Sequence, residues 1–241
     1  MNIIQIPAFT DNYFWLMFED NNKSAVVVDP GDSAPVIKSL KDNNLELTDI
    51  LITHHHNDHI GGVSELKKVF PKVSIFGPAD PRIPADNIVK DEDVIKLDSL
   101  NEEFRVLDVR GHTNSHIAYY FDKKLFCGDT LFSCGCGRLF EGTHEDMHKA
   151  LTKIKNLPKE TLIYCLPATG KLGDEDPQGD RSLPFVIPSM DSPKQFEPTL
   201  HQWTRPSKSS PRNPTLSSCA WVMHVQTLLP QRFVSHSKLR L

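Results

Sequence analysis

The sequence predicts an α/β layered domain over residues 1–165. Short β-rich runs alternate there with stretches of helical spacing. The runs are brief and largely apolar, the signature of strands buried in a sheet. After Cys165 the pattern stops: 10 of the chain's 18 prolines and 10 serines fall in residues 166–241.

Taken in order, Ile3 to Ile6 and Tyr13 to Phe18 read as strands that pair across the Asp11-Asn12 turn. Ala25 to Val28 is a third strand. Asp32 or Ser33 caps a helix from about 34 to 43, whose Val36, Ile37 and Leu40 recur at helical spacing. Ile50 to Ile52 is a short buried strand, Gly61 to Phe70 returns to helical spacing, and Val73 to Phe76 is again extended. Phe104 to Val109, Ile117 to Phe121 and Leu125 to Cys127 supply three more strands. Residues 145–156 form a helix, and Leu162 to Tyr164 is the last strand. Two regions follow from this: a domain at 1–165 and a Pro/Ser-rich tail at 166–241, disordered or aberrant. Proline at that density removes backbone donors and interrupts both helices and ladders.

Composition excludes more than it assigns. With 241 residues the chain buries a core without staples. A net charge of −4 gives no reason to expect nucleic acid or an anionic membrane as partner. No run of 18 apolar residues is present, and Met1 to Pro7 lacks the basic and apolar regions of a signal peptide. Five cysteines make an odd count without a disulfide framework, so a reduced, cytoplasmic compartment is expected; separately, a monomer is expected.

The chemistry concentrates in Thr53-His54-His55-His56-Asn57-Asp58-His59, directly after a buried strand and before Gly61-Gly62. Its content is His-x-His-x-Asp-His. Imidazole is a good ligand for Zn²⁺ and similar ions, and a carboxylate adds charge neutralisation. Alternate residues of an extended loop project to one side, so His54 and His56 grip one ion. Asp58 and His59, where the chain turns into a helix, reach a second. Gly111-His112-Thr113 and Gly128-Asp129-Thr130 each set a ligand-type residue just beyond a strand end, where loops collect function on a rigid scaffold. Alone, His112 reads as a surface histidine and Asp129 as a turn residue; together with the first motif they read as ligands. Cys134 and Cys136 read as loop packing, and His144 and His148 as an exposed helix face.

These three motifs together resemble the metallo-β-lactamase superfamily, which implies an αββα sandwich. More narrowly, residues 6–13, Val28-Asp29-Pro30-Gly31-Asp32 and residues 134–143 resemble glyoxalase II, the hydroxyacylglutathione hydrolases. That resemblance implies two divalent metal ions, Zn²⁺ foremost with Fe and Mn as alternatives. His54, His56 and His112 would hold the first, Asp58 and His59 the second, and Asp129 would bridge them. It implies a small-molecule glutathione thioester, S-D-lactoylglutathione, as substrate, with D-lactate and glutathione as products. Asp58 and Asp129 would serve catalysis through the metals, which activate water for attack on the carbonyl. Arg138 falls where the family meets the glutathione glycine carboxylate, and Phe140 where many members place a Tyr. Asp29 and His116 are candidates to orient ligand imidazoles.

The resemblance ends where the family continues Ala-His-Glu-Tyr-Thr and this chain reads Leu166-Pro167-Ala168-Thr169-Gly170. A frameshift, an alternative splice or a gene-model error near codon 166 is the expected origin. The consequence is a sandwich incomplete on its C-terminal side and a second metal site that is weak or empty. Two other readings stand beside the thioesterase: an impaired or inactive metal-binding relic, and a hydrolase of another ester on the same scaffold.

Overall fold

The computed structural model describes residues 1–9, 12–132 and 135–165, together with the backbone strand 185–186. Other expectations for the tail, including His201, His224 and His236 as substitute ligands, lie outside the described residues, as do Asp11 and Cys134.

Two six-stranded sheets form the domain. The first runs β1 (Asn2–Ala8), β2 (Asn12–Phe18), β3 (Ser24–Val28), β4 (Glu46–Leu51), β5 (Ser74–Gly77) and β6 (Asn87–Ile88) in sequence order. β1 and β2 pair antiparallel with Ala8 opposite Asn12, as the expected hairpin requires. From β3 onward the strands are parallel. The second sheet contains β7 (Val94–Leu97), β8 (Glu102–Asp108), β9 (Ile117–Phe121), β10 (Lys124–Phe126), β13 (Leu162–Tyr164) and β14 (Phe185–Val186). Its order is β14-β13-β10-β9-β8-β7. β11 (Leu131–Phe132) and β12 (Gly135–Cys136) make a small separate hairpin.

Strand alternation builds the layers. Trp15, Met17, Val26, Val28 and Leu51 of the first sheet pack with Phe104, Val106, Tyr119, Phe126 and Tyr164 of the second, which fills the space between the sheets. The intervening residues Phe14, Leu16, Val27 and Ile50 face outward against Val36, Leu40, Val63 and Leu66. Those four belong to helices α1 (Ser33–Asp42) and α3 (Val63–Val69). On the far side Leu107, Leu125 and Ile163 meet Ala150 and Ile154 of α4 (His144–Lys155). The layers therefore run α, β, β, α. Both faces of the central strands are buried, which is why they read as continuous apolar runs.

The helix ends follow local chemistry. Asp32 accepts from the Ala34 amide at 2.9 Å and caps α1, with Pro35 in the first turn where its missing N–H costs nothing. Thr143 and Asp146 form a reciprocal capping box on α4. The helix expected from Gly61 to Phe70 is observed as α3, which begins two residues later. A short α2 (Asn57–Ile60) and α3 are separated at Gly61-Gly62, where added side chains would strike the 30–33 backbone and Asn57. β6 and β7 were not expected from the sequence; each is short, and Val94 to Leu97 is flanked by charges that hide its alternation.

Candidate metal centre

All the ligand candidates sit in turns at one end of the sandwich. Asp29 follows β3, His54 to His59 follow β4, His112 and His116 lie between β8 and β9, and Asp129 follows β10. One set, His54, His56, His112 and Asp129, offers four donor atoms that lie within 4.8 Å of one another. A second, Asp58, His59 and Asp129, offers three donors at the same spacing, and Asp129 belongs to both.

Hydrogen bonds fix which nitrogen of two rings carries a lone pair. Asp29 accepts from the Thr53 amide at 2.7 Å and from the Thr53 hydroxyl at 2.6 Å. The hydroxyl's only proton is thereby used, so in its 3.1 Å contact with His54 Nδ1 the imidazole donates. His54 Nε2 is left bare. His112 Nδ1 lies 2.7 Å from the Arg138 carbonyl, which can only accept, so His112 Nε2 is bare as well. Both face His56 Nδ1, at 3.1 and 2.9 Å, and His112 Nε2 lies 3.2 Å from Asp129 Oδ2. A single proton on His56 serves only one of these two lone pairs.

The second set is equally short of partners. His59 Nδ1 lies 3.0 Å from Asp29 Oδ2, which turns Nε2 toward Asp129 Oδ1 at 3.2 Å and Asp58 Oδ2 at 3.5 Å. Both ring nitrogens and Asp129 Oδ1 are buried without a hydrogen bond. Unmade hydrogen bonds on buried groups cost about 1–3 kcal/mol each. Bare imidazole nitrogens converging with carboxylate oxygens suit a divalent cation, and these residues fit one.

Electrostatics agree. Burial pushes His54 well below the ordinary imidazole range, helped by the neighbouring histidines, so it is a neutral donor. Burial works against charge on His59 too, but Asp129 and Asp29 outweigh it and raise this group. For Asp129 burial opposes ionisation, yet His59 and His112 hold it below the usual carboxylate range. Asp29 itself has φ 52°, a left-handed backbone that Asp tolerates at some cost and that its two bonds to Thr53 maintain.

The remaining expected residues are placed unequally. Phe140 is exposed, with its ring 5.2 Å from those of both His56 and His112 and the Arg138 guanidinium 5.2 Å above it. His116 reaches His54 by ring stacking at 4.4 Å, whereas both its nitrogens are buried without a hydrogen bond. His144 and His148 lie on an exposed face of α4, away from these sets. Cys127, Cys136 and Cys165 form no disulfide.

Several participants were not singled out from sequence. Thr53 was visible only as the first letter of its motif. Asn12 donates to Asp58 Oδ2 at 3.3 Å and braces that half-exposed carboxylate. His55, between two ligand residues, points instead toward Asp80 and Glu141, each 3.6 Å away. Arg82 bridges those two acids. A period-based reading has no means of finding loop residues that meet only in the fold.

Comparison with known proteins places this geometry. A family model described as the metallo-beta-lactamase superfamily matches residues 10–165. The hydroxyacylglutathione hydrolase of Aliivibrio salmonicida is 56% identical over 164 residues, covering 68% of this chain and 64% of that protein. That of Photobacterium profundum is 54% identical over 166 residues, and that of Klebsiella pneumoniae 48% over 166. The chain thus spans just under two thirds of the length of these relatives, 64–65%. Among solved structures, ETHE1 from Myxococcus xanthus superposes with a TM-score of 0.64 at 26% identity, covering 78% of this chain and 80% of its own. The BLEG-1 B3 metallo-beta-lactamase gives 0.62 at 28% identity, with 69% and 92% covered. Sheet order, donor sets and sequence agree, and the chain belongs to the metallo-beta-lactamase superfamily.

Proposed function

We propose that the chain is a metal-dependent thioesterase that converts S-(2-hydroxyacyl)glutathione, foremost S-D-lactoylglutathione, to glutathione and a 2-hydroxy acid. The observation that carries this reading is the pair of donor sets joined at Asp129. Relatives 48–56% identical over this same region and named hydroxyacylglutathione hydrolase support the substrate class. On this reading His54, His56, His112 and Asp129 hold one zinc ion, and Asp58, His59 and Asp129 the other. Bound divalent cations supply Lewis acidity, which activates water at neutral pH and polarises a carbonyl.

The chain's own side chains do the rest. Asp129 is ionised at neutral pH and offsets cationic charge in a buried setting. Asp29 and Thr53 hold His54 in the tautomer that presents Nε2, and the Arg138 carbonyl does the same for His112. Phe140, against the edges of His56 and His112, forms an apolar wall beside the donors. Arg138, stacked on that wall, offers a guanidinium fork suited to a carboxylate of the glutathione moiety. The departing thiolate needs little protonation, since a free thiol has a pKa of about 8.5. This reading includes a reducing, cytoplasmic setting, in which thiols such as the glutathione product persist.

The test is a substrate panel on the metal-loaded chain: S-D-lactoylglutathione, a chromogenic β-lactam and a bis-aryl phosphodiester. Chelator-sensitive release of thiol from the thioester alone supports the reading. Turnover of either other substrate with the thioester untouched overturns it.

A further inference from the structure

Beside the donor sets lies a group of charges that the proposed chemistry does not use. Asp80 and Arg82 come from the loop between β5 and β6, His55 from the turn after β4, Asn114 and Ser115 from the β8–β9 loop, and Glu141 from the approach to α4. The Arg82 fork binds both acids. Its Nε reaches Asp80 Oδ1 at 2.8 Å, Nη2 reaches Asp80 Oδ2 at 2.7 Å, and Nη1 reaches Glu141 Oε1 at 2.7 Å. The other Glu141 oxygen accepts from the Asn114 amide at 3.0 Å, and Asp80 accepts from the Ser115 hydroxyl at 2.7 Å. The His55 ring, little exposed, fits between the two carboxylates at 3.6 Å from each.

Glu141 directly follows the segment that carries Arg138 and Phe140. That segment is tied to the His112 loop by backbone bonds: Phe140 N–H to the His112 carbonyl at 3.1 Å and Gly142 N–H to the Gly111 carbonyl at 3.2 Å. Phe140 is nonetheless exposed. A solvated strap with two backbone bonds, fixed at its start by the His112 ring on the Arg138 carbonyl, opens easily beyond that point unless its side chains anchor it. Glu141 is the one side chain of the strap that bonds to two other loops at once.

We propose that Glu141, held by Arg82, is a positioning residue: it anchors the 138–142 strap so that Arg138 and Phe140 stand preformed beside His56 and His112. This rests on the thioesterase reading for what the strap contacts, but the anchoring itself does not. Both oxygens of a carboxylate are required, because one accepts from the guanidinium and the other from a backbone amide. Glu141→Gln keeps the shape but turns an amide NH₂ toward one of these donors. Arg82→Lys keeps the charge but cannot bridge two carboxylates with a planar fork.

The experiment uses the full metal-loaded chain and both variants. Amide hydrogen exchange is read at Asn114, Phe140 and Gly142, metal content is measured on each sample, and S-methylglutathione, a thioether that is not hydrolysed, serves as binding probe. The expected result is exchange at least about tenfold faster at those three amides in both variants. Amides of β8, β9 and α4 and the metal content stay unchanged, and S-methylglutathione affinity falls about tenfold. Unchanged exchange at the three amides overturns the proposal. Exchange rising equally in β8, β9 and α4, with metal lost, overturns it too, since Glu141 then supports the fold at large. A wild-type chain that binds no S-methylglutathione sinks the thioesterase reading, while the exchange data still decide the anchor.

Discussion

At the scale of the residue, the donor geometry depends on Asp29. It touches no ligand-binding atom of the first donor set, yet its carboxylate takes the Thr53 amide and hydroxyl and stands 3.0 Å from His59. Removing it strands two buried donors and frees His54 to change tautomer. We expect Asp29→Ala to weaken divalent-cation affinity about 10–100-fold, measured by competition with a chromogenic chelator. The sequence told of this residue only through family resemblance; the Val-Asp-Pro-Gly-Asp segment by itself reads as a turn. His54 and His56 were legible because alternate positions of one extended loop share a side, and Asp58 and His59 because the chain turns there into α2. His55 was legible as a histidine but not as a neighbour of Asp80 and Glu141, whose loops are remote in the chain. His116 stacks on His54, with both its ring nitrogens buried without a hydrogen bond.

At the scale of the element, the turns at the end of the sandwich approach too closely for side chains. A Cβ on Gly31 would lie 1.9 Å from the Asp58 carbonyl oxygen, and one on Gly137 the same distance from that of Asp129. Gly31→Ala therefore pushes the start of α2 outward. We expect bound metal to fall by about one ion per chain from the Asp58 set while the His54 set still fills; elemental analysis against protein concentration checks it. The Glu141 anchor carries a pH signature. Hydrogen bonds from Arg82, then the Asn114 amide, hold the Glu141 carboxyl down to about 2. A depressed acid stabilises the fold above its ordinary value of about 4.3, and that stabilisation is lost as pH falls toward the folded value. Wild type should therefore exceed Glu141→Gln in unfolding free energy at pH 6, with the gap closing between about pH 4.5 and 2 in chemical denaturation. The regular elements were readable because short apolar runs alternate with stretches of period 3.6. The separation of α2 from α3 at Gly61-Gly62 and strands β6 and β7 were not, because backbone crowding and strands of two and four residues leave no periodic trace.

At the scale of the whole molecule, the two sheets are joined by an aromatic group that links early and late chain. Trp15 of β2 meets the Tyr164 ring of β13 edge-on at 5.1 Å, and Tyr164 stacks on Phe126 of β10 at 4.7 Å. Trp15→Ala empties the centre of the sandwich and should cost about 3–5 kcal/mol in urea unfolding. The fold class was legible from residues 1–165, since the central strands bury both faces and the helices one. The chain's match to its family ends at residue 165, just past the strand that carries Tyr164. The first donor set is complete among the described residues with four members, whereas the second has three, one of them a half-exposed Asp58. The most direct test of the account is therefore hydrolysis of S-D-lactoylglutathione by the purified 241-residue chain, with metal content determined on the same sample. The account predicts thiol release that rises with bound metal and disappears in Asp129→Ala, the residue common to both sets. Full metal occupancy without any turnover, or turnover that survives chelation, would contradict it.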